Sequence, residues 1–234
     1  TNLVSNTGVV GSDVSGVGTV RGYLGACEYG EDKAIFGFGF HYSVPYLGQT
    51  NLVSNTGVVS SDVAAVGTAR STLGACSYGE DKGIFAYGST GTVTAISNLV
   101  SNTGVVATDV AGVGTARNYL AATQYGGDKG IFGYGSGYYS LTNLVTNVGV
   151  IGSDVTGVGS VRYILAACSY GDDKGIFGYG STGTISSLTN LVSNSGVVSS
   201  DVTGVGTATY YLAACEYGQD KAIFGYGANG GPIS

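Results

Sequence analysis

The residues of this chain that could do chemistry are few, and most of them recur at a regular spacing. An Asp-Lys pair begins at Asp32, Asp81, Asp128, Asp173 and Asp220, each leading into an apolar run such as Ile84-Phe85-Ala86-Tyr87. A second acid recurs at Asp13, Asp62, Asp109, Asp154 and Asp201, an arginine at Arg21, Arg70, Arg117 and Arg162, and a cysteine at Cys27, Cys76, Cys168 and Cys215. Catalysis finds little purchase among them. His41 is the single histidine, so neither a histidine-based triad nor a multi-histidine metal site can be assembled within the chain. Glycoside hydrolysis needs convergent carboxylates, whereas the non-recurring acids Glu28, Glu31, Glu80, Asp172 and Glu216 all lie in the short stretch before an Asp-Lys turn. No D-x-D-x-D loop offers calcium a set of oxygens. The repeated Gly-Val-Gly-Thr lies between strands, so it lacks the helix N-terminus that makes a glycine loop bind phosphate. The expectation is a protein with no enzymatic activity, no metal and no cofactor.

Structural roles account for the recurring groups. Asp-Lys turns read as solvated charges and turn formers. Each arginine is expected to pair with a recurring acid such as Asp62 and so tie one repeat to the next, because semi-buried arginine is normally paired. An anionic ligand at those arginines is the lesser alternative, and Thr209 in the fifth copy makes either role non-uniform. The cysteines occupy equivalent positions, with Thr123 in the third copy, and are expected to be small buried thiols, not a disulfide framework. The formal charge of -6 arises largely from acids in register. An acidic face argues against a nucleic-acid partner. No apolar run approaches the roughly 20 residues of a bilayer span, so no membrane span is expected.

The elements that position these groups follow from the period. Asn-Leu-Val begins at Asn2, Asn51, Asn98, Asn143 and Asn190, spacings of 49, 47, 45 and 47. Each period divides into a short small-residue run (73–79), the Asp-Lys turn, the strand around Ile84-Phe85, a variable linker (89–97), the Asn-Leu-Val strand, a Thr-Gly turn and a Val-Val strand. Helices are excluded, since any of ten residues would cross several glycines at roughly 1 kcal/mol each. Four strands in a period of 40 to 50 residues predict an all-β, five-bladed β-propeller of four-stranded antiparallel blades, forming a single domain over residues 1–234. The first ten residues copy a third and fourth strand, and the last copy has only a first and second. The ring is therefore expected to close by N-terminal strands pairing with the C-terminal blade, removing an exposed edge.

The order arginine, small strand, turn, Lys-x-Ile-Phe-x-Tyr-Gly, linker, Asn-Leu-Val, Thr-Gly, Val-Val resembles a kelch-type β-propeller repeat over essentially the whole chain. It departs from that pattern in having Gly-Tyr-Gly where kelch repeats carry a glycine doublet, and Val10, Val59 or Val106 where they carry tryptophan. The resemblance therefore bears on architecture. The near-identity of the copies is similar, more weakly, to recently amplified propellers of phage and microbial surface proteins.

Antiparallel strands send the Asp-Lys and Thr-Gly turns to one face and the variable linkers to the other. That variable face carries Phe40, His41, Tyr42 and Tyr46 in the first linker, Tyr138 and Tyr139 in the third, and Tyr23, Tyr119, Tyr163, Tyr210 and Tyr211 after the arginine positions. Tyrosine provides large contact area and a polar tip at low entropic cost. The expected function is a binding or adhesion module recognising a glycan or protein partner through this tyrosine-rich face, at an extracellular or virion surface. The alternative is a structural component of a virion, fibre or surface assembly, packing with copies of itself or within a larger polypeptide.

Overall fold

Each Asp-Lys turn folds two short strands onto one another. Gly30 and Glu31 have φ of +57° and +67°, and Gly79 and Glu80 have +58° and +68°, successive positive angles within the three-residue loops that join Tyr29 to its partner Lys33 and Tyr78 to its partner Lys82. The computed structural model describes residues 1–230, and these are all-β with no helix. The first sheet comprises β1 (Gly25–Tyr29), β2 (Lys33–His41) and β3 (Val44–Val53). The second is β4 (Gly74–Tyr78), β5 (Lys82–Ala86) and β6 (Ser97–Val100), and the third β7 (Ala121–Tyr125), β8 (Lys129–Gly133) and β9 (Thr142–Val145). The fourth is β10 (Ala166–Tyr170), β11 (Lys174–Gly178) and β12 (Thr189–Val192), and the fifth has only β13 (Ala213–Tyr217) and β14 (Lys221–Gly225). Every pairing is antiparallel, with equivalent registers such as Cys27 opposite Ile35 and Cys76 opposite Ile84.

Two expectations about strands change. The Val-Val stretch does not form a full fourth strand; it touches the third through single bridges, Val53 to Val59 and Thr50 to Val63 in the first copy. Side chains take over part of the ladder: the Leu52 amide donates to Ser60 Oγ at 2.9 Å, and Asn51 Nδ2 donates to the Ser60 carbonyl at 3.0 Å. The first-copy linker, in turn, is not a loop. β2 and β3 extend through it as a hairpin with irregular register at Gly39 and His41.

The sheets follow one another in a circular arrangement with their first strands innermost. Backbone bonds pass from copy to copy: Thr72 to Tyr23, Tyr119 to Thr72, Ile164 to Tyr119 and Tyr211 to Ile164 (N–H to carbonyl). On the opposite face Gly30, Gly79, Gly126 and Gly171 each donate at 2.7 Å to the Asp-Lys aspartate of the next copy. Between sheets lie Tyr78, Ile84, Phe132 and Val145, all buried. Gly74 admits Phe132, since a Cβ there would stand 2.9 Å from the ring.

Arg21 and Arg162 pair with the recurring acids as expected, but those pairs do not tie one repeat to the next. Arg70, Arg117 and Arg162 are fully buried. Arg21 and Arg162 approach Asp62 and Asp201 at 3.6 and 3.8 Å, but each such aspartate belongs to the arginine's own repeat. Tethering to the preceding repeat comes from aromatic rings: the guanidinium carbons of Arg70, Arg117 and Arg162 lie 4.1, 4.3 and 4.8 Å from the Phe38, Tyr87 and Tyr134 centroids. The acids are held chiefly by neutral donors. Asp62 accepts from the Thr19 amide at 2.9 Å, Thr19 Oγ1 at 2.7 Å and Asn51 Nδ2 at 2.9 Å.

The ring has a seam. Residues 1–10 fold as an isolated hairpin, Val4 bridged to Val10, and Leu3 stacks on Gly57 as Leu52 stacks on Gly104. This hairpin does not pair with β14, no sheet is closed, and among the described residues no backbone bond joins the fifth sheet to the first. Ile223 is consequently 52% exposed where Ile35, Ile84 and Ile131 are fully buried.

Candidate functional site

The variable face is built on strained backbone. Tyr23, Thr72, Tyr119, Ile164 and Tyr211 occupy the same position in successive copies, all with φ between +52° and +55°. For the β-branched Thr72 and Ile164 this conformation is costly, and it is maintained by the bonds that run between these residues. It turns each side chain toward the common axis. The rings of Tyr23, Tyr119 and Tyr211 meet there with centroids 6.2 to 6.4 Å apart, over a floor of leucines that includes Leu24, Leu73 and Leu120. Burial, and then the neighbouring Tyr119 and Tyr23 hydroxyls, push the Tyr211 phenol up to about 12.

Beside this mouth lies a cavity of about 380 Å³ lined by Tyr23, Phe40, Tyr42, Tyr46 and Tyr119, with Ser71, Thr72, Ser89 and Asn118 supplying polar groups. The extended β2–β3 hairpin carries Phe40 and Tyr42 to its rim. Phe40 meets Tyr42 edge-on at 5.6 Å and Tyr23 at 6.4 Å. Tyr42 is 93% exposed, a ring presented to solvent. No charged side chain lines this cavity, so it can hold a neutral ligand by ring contact and hydroxyl or amide hydrogen bonds.

The structure brings together five of the expected residues here and separates the rest. Tyr211 belongs to the axial mouth. Tyr138 pairs edge-on with Tyr163 at 6.1 Å, and Tyr139 lies against Gly137. His41 Nδ1 accepts the Ser43 amide at 3.2 Å, a bond that shapes the hairpin turn, and it does not line the cavity. The polar members Ser71, Ser89 and Asn118 escaped sequence reasoning. Ser71 and Asn118 directly follow an arginine, a position that could have pointed to them.

The opposite mouth is lined by alternate first-strand residues, an alanine ring that includes Ala26, Ala75, Ala122 and Ala214 and then Glu28, Ser77, Gln124, Ser169 and Glu216. Ser169 Oγ donates to Glu216 at 2.6 Å. Burial, then repulsion from Glu216, raises the Glu28 carboxyl. Cys27, Cys76 and Cys168 are buried and Cys215 is exposed, all as free thiols. Burial pushes Cys27 and Cys168 up to about 12, far from the thiolate that chemistry would need. Among the described residues no group of three or more His, Cys, Asp or Glu could hold a metal ion, and no helix is long and apolar enough to cross a membrane.

In comparisons with known proteins, the chain matches no family model and no curated sequence.

Proposed function

We propose that this protein is a non-enzymatic binding module that recognises a glycan or a protein partner through the tyrosine-lined cavity. In this reading it is a closed five-bladed ring of kelch-like propeller repeats, acting at an extracellular or virion surface. The observation that carries the function is the convergence of Tyr23, Phe40, Tyr42, Tyr46 and Tyr119, drawn from two copies, around one uncharged cavity beside a strained axial mouth. The first copy alone among the described sheets extends its second and third strands, to 9 and 10 residues, to build this rim. Glycan-array binding tests it: binding lost in Tyr42→Ala or Tyr46→Ala supports the reading, and no bound glycan or protein partner for the wild type removes it.

A second reading, a structural unit of a virion, fibre or surface layer, has its own support. Val9, Val58, Val105, Val150 and Val197, equivalent in all copies, are 59 to 66% exposed. A regular apolar belt of this kind suits lateral packing of copies. Ordered oligomers in light scattering, without any ligand, would favour it.

A further inference from the structure

Tyr42 and Tyr138 stand at the same place in their copies, four residues after the buried rings of Phe38 and Tyr134. The other three copies have glycine there, Gly91, Gly183 and Gly230. Both tyrosines are presented to solvent, 93 and 59% exposed. Both are also braced edge-on by another ring, Tyr42 by Phe40 at 5.6 Å and Tyr138 by Tyr163 at 6.1 Å. The third-copy loop is shaped for this. Tyr138 takes a left-handed φ of +59°, and Tyr139 lies across Gly137, where a Cβ would stand 2.4 Å from its ring. A ring held outward at a conformational cost points to a contact made there.

The two rings head equivalent sites. Second-copy residues Ser71 and Ser89 help to line the first-copy cavity, and their fourth-copy equivalents beside Tyr138 are Tyr163 and Ser181, joined by the same backbone bridge. Gly183 donates to Ser181 Oγ at 3.2 Å, as Gly91 does to Ser89 Oγ. Asn118 connects the sites. It lines the first cavity, and its Oδ1 accepts from Ser136 Oγ, two residues before Tyr138.

We infer that Tyr138 and Tyr163 form a second sugar-binding subsite, and that the ligand of this face is an extended neutral oligosaccharide reaching from the Tyr42 rim past Asn118 and Ser136 to Tyr138. The inference rests on the reading of the first-copy rim as a recognition site and adds the class of ligand and its extent. A pyranose has apolar C–H faces edged by hydroxyls, so exposed rings supply the stacking and small polar groups the hydrogen bonds. Those polar groups are neutral donors. Ser71, 5% exposed, keeps a hydroxyl with no partner among the described residues, and Asn118, its Oδ1 already taken, offers Nδ2. No charged side chain lines the first cavity, and the chain's formal charge of -6 disfavours an acidic polymer. Two subsites on one continuous ligand bind it more tightly than either alone, because the second contact is made within the complex.

Titration calorimetry of the full chain tests this with linear β-1,4-linked oligomers of glucose, mannose and N-acetylglucosamine, each of two and six units, and with hexagalacturonate as the acidic control. At least one neutral hexamer is expected to bind about tenfold or more tightly than its dimer. Tyr138→Asn removes the ring with a residue that tolerates the left-handed backbone, and should bring the hexamer down to the level of the dimer. Tyr163→Ser, which reproduces the second-copy Ser71, is expected to do the same, and guards against a loop that fails to fold in the first variant. A hexamer no tighter than its dimer, or a gain that survives both substitutions, would overturn the second subsite and leave the first-copy rim standing. Equal losses for dimer and hexamer in both variants would assign these rings to folding and overturn it as well. Binding of hexagalacturonate alone would overturn the neutral class. Binding of none of these oligomers would overturn the inference outright, whereas the rim reading falls only if array glycans and protein partners also show no binding sensitive to Tyr42→Ala.

Discussion

Arg70 lays its guanidinium carbon 4.1 Å from the centroid of the Phe38 ring while its Nε donates 2.9 Å to the Tyr87 carbonyl. One side chain thus joins the second strands of two successive sheets. Burial draws its pKa down to about 10, partly offset by the Asp109 charge, so the group remains cationic at neutral pH. The same stack recurs at Arg117 and Arg162 and is replaced by Thr209 in the fifth copy.

Truncating this side chain should be costly. Arg70→Ala removes a fully buried group and leaves the Tyr87 carbonyl without its donor, for a loss of about 3 to 5 kcal/mol. Arg70→Lys is expected to recover only part of this, since an ammonium cannot stack as a plane. Urea denaturation at pH 7 measures both; a loss within experimental error for Arg70→Ala would remove the stack as a tie between sheets.

Installing the missing arginine should do the reverse. Tyr179 occupies the ring position ahead of Thr209 and is only half-buried, whereas Tyr87 and Tyr134 beneath their arginines are fully buried. Thr209→Arg is expected to stabilise by about 0.5 to 1 kcal/mol, read from the denaturation midpoint.

Acid should weaken the fold through the recurring aspartates. Hydrogen bonds from Thr19 first, then Asn51, hold Asp62 below its ordinary range, and Asp109 is held low by Thr68 and Asn98 despite the opposing effect of burial. A folded-state pKa below the unfolded one gives stability that is complete above roughly pH 4 and is lost as pH falls through the folded value. The melting temperature should therefore fall between about pH 4 and pH 2. Asp62→Asn should cost about 1 to 2 kcal/mol at pH 7 and much less at pH 2. A mutational cost that does not change with pH would show that these hydrogen bonds are not what the acid titrates.

The period and the turns were legible in the sequence because their causes are local. Gly30-Glu31 must take positive φ to reverse the chain, and Ile84-Phe85 must be covered on both faces. The weak fourth strand was not, because Ser60 and Asn51 substitute side-chain bonds for ladder bonds, and residue type alone does not distinguish the two arrangements. Arginine was read as a partner for aspartate because charge is visible in a sequence, whereas the Phe38 face it covers is set by how neighbouring sheets stack. At the candidate site the tyrosines stood out by type and position. Ser71, Ser89 and Asn118 did not, since small polar residues on turns are common and only the cavity singles these out.

Removing the axial charge pair should stabilise. Glu28 is raised by burial and by Glu216, so its folded form favours the proton more than the unfolded chain does. For an acid raised in this way, stability is greatest below roughly pH 4 and is lost as pH rises through the raised value. Glu28→Gln should therefore raise stability by about 0.5 kcal/mol at pH 7 and change nothing at pH 4, the modest size reflecting its partial exposure to solvent. An equal gain at both pH values would assign the effect to packing.

Recognition and folding should separate at the rim. Tyr42 projects almost wholly into solvent, meeting only the edge of Phe40, so Tyr42→Ala should change stability by less than about 0.5 kcal/mol. If that ring stacks on a ligand, the same substitution should weaken binding about tenfold or more, corresponding to roughly 1.4 kcal/mol. Phe40→Ala should do both, because Phe40 lines the cavity and also holds Tyr23 edge-on at 6.4 Å beside the axial mouth. Calorimetric titration with a ligand identified from an array, run beside thermal melts of the two variants, separates these effects. Binding unaffected by Tyr42→Ala but lost in Tyr211→Ala would move the site from the first-copy rim to the axial mouth.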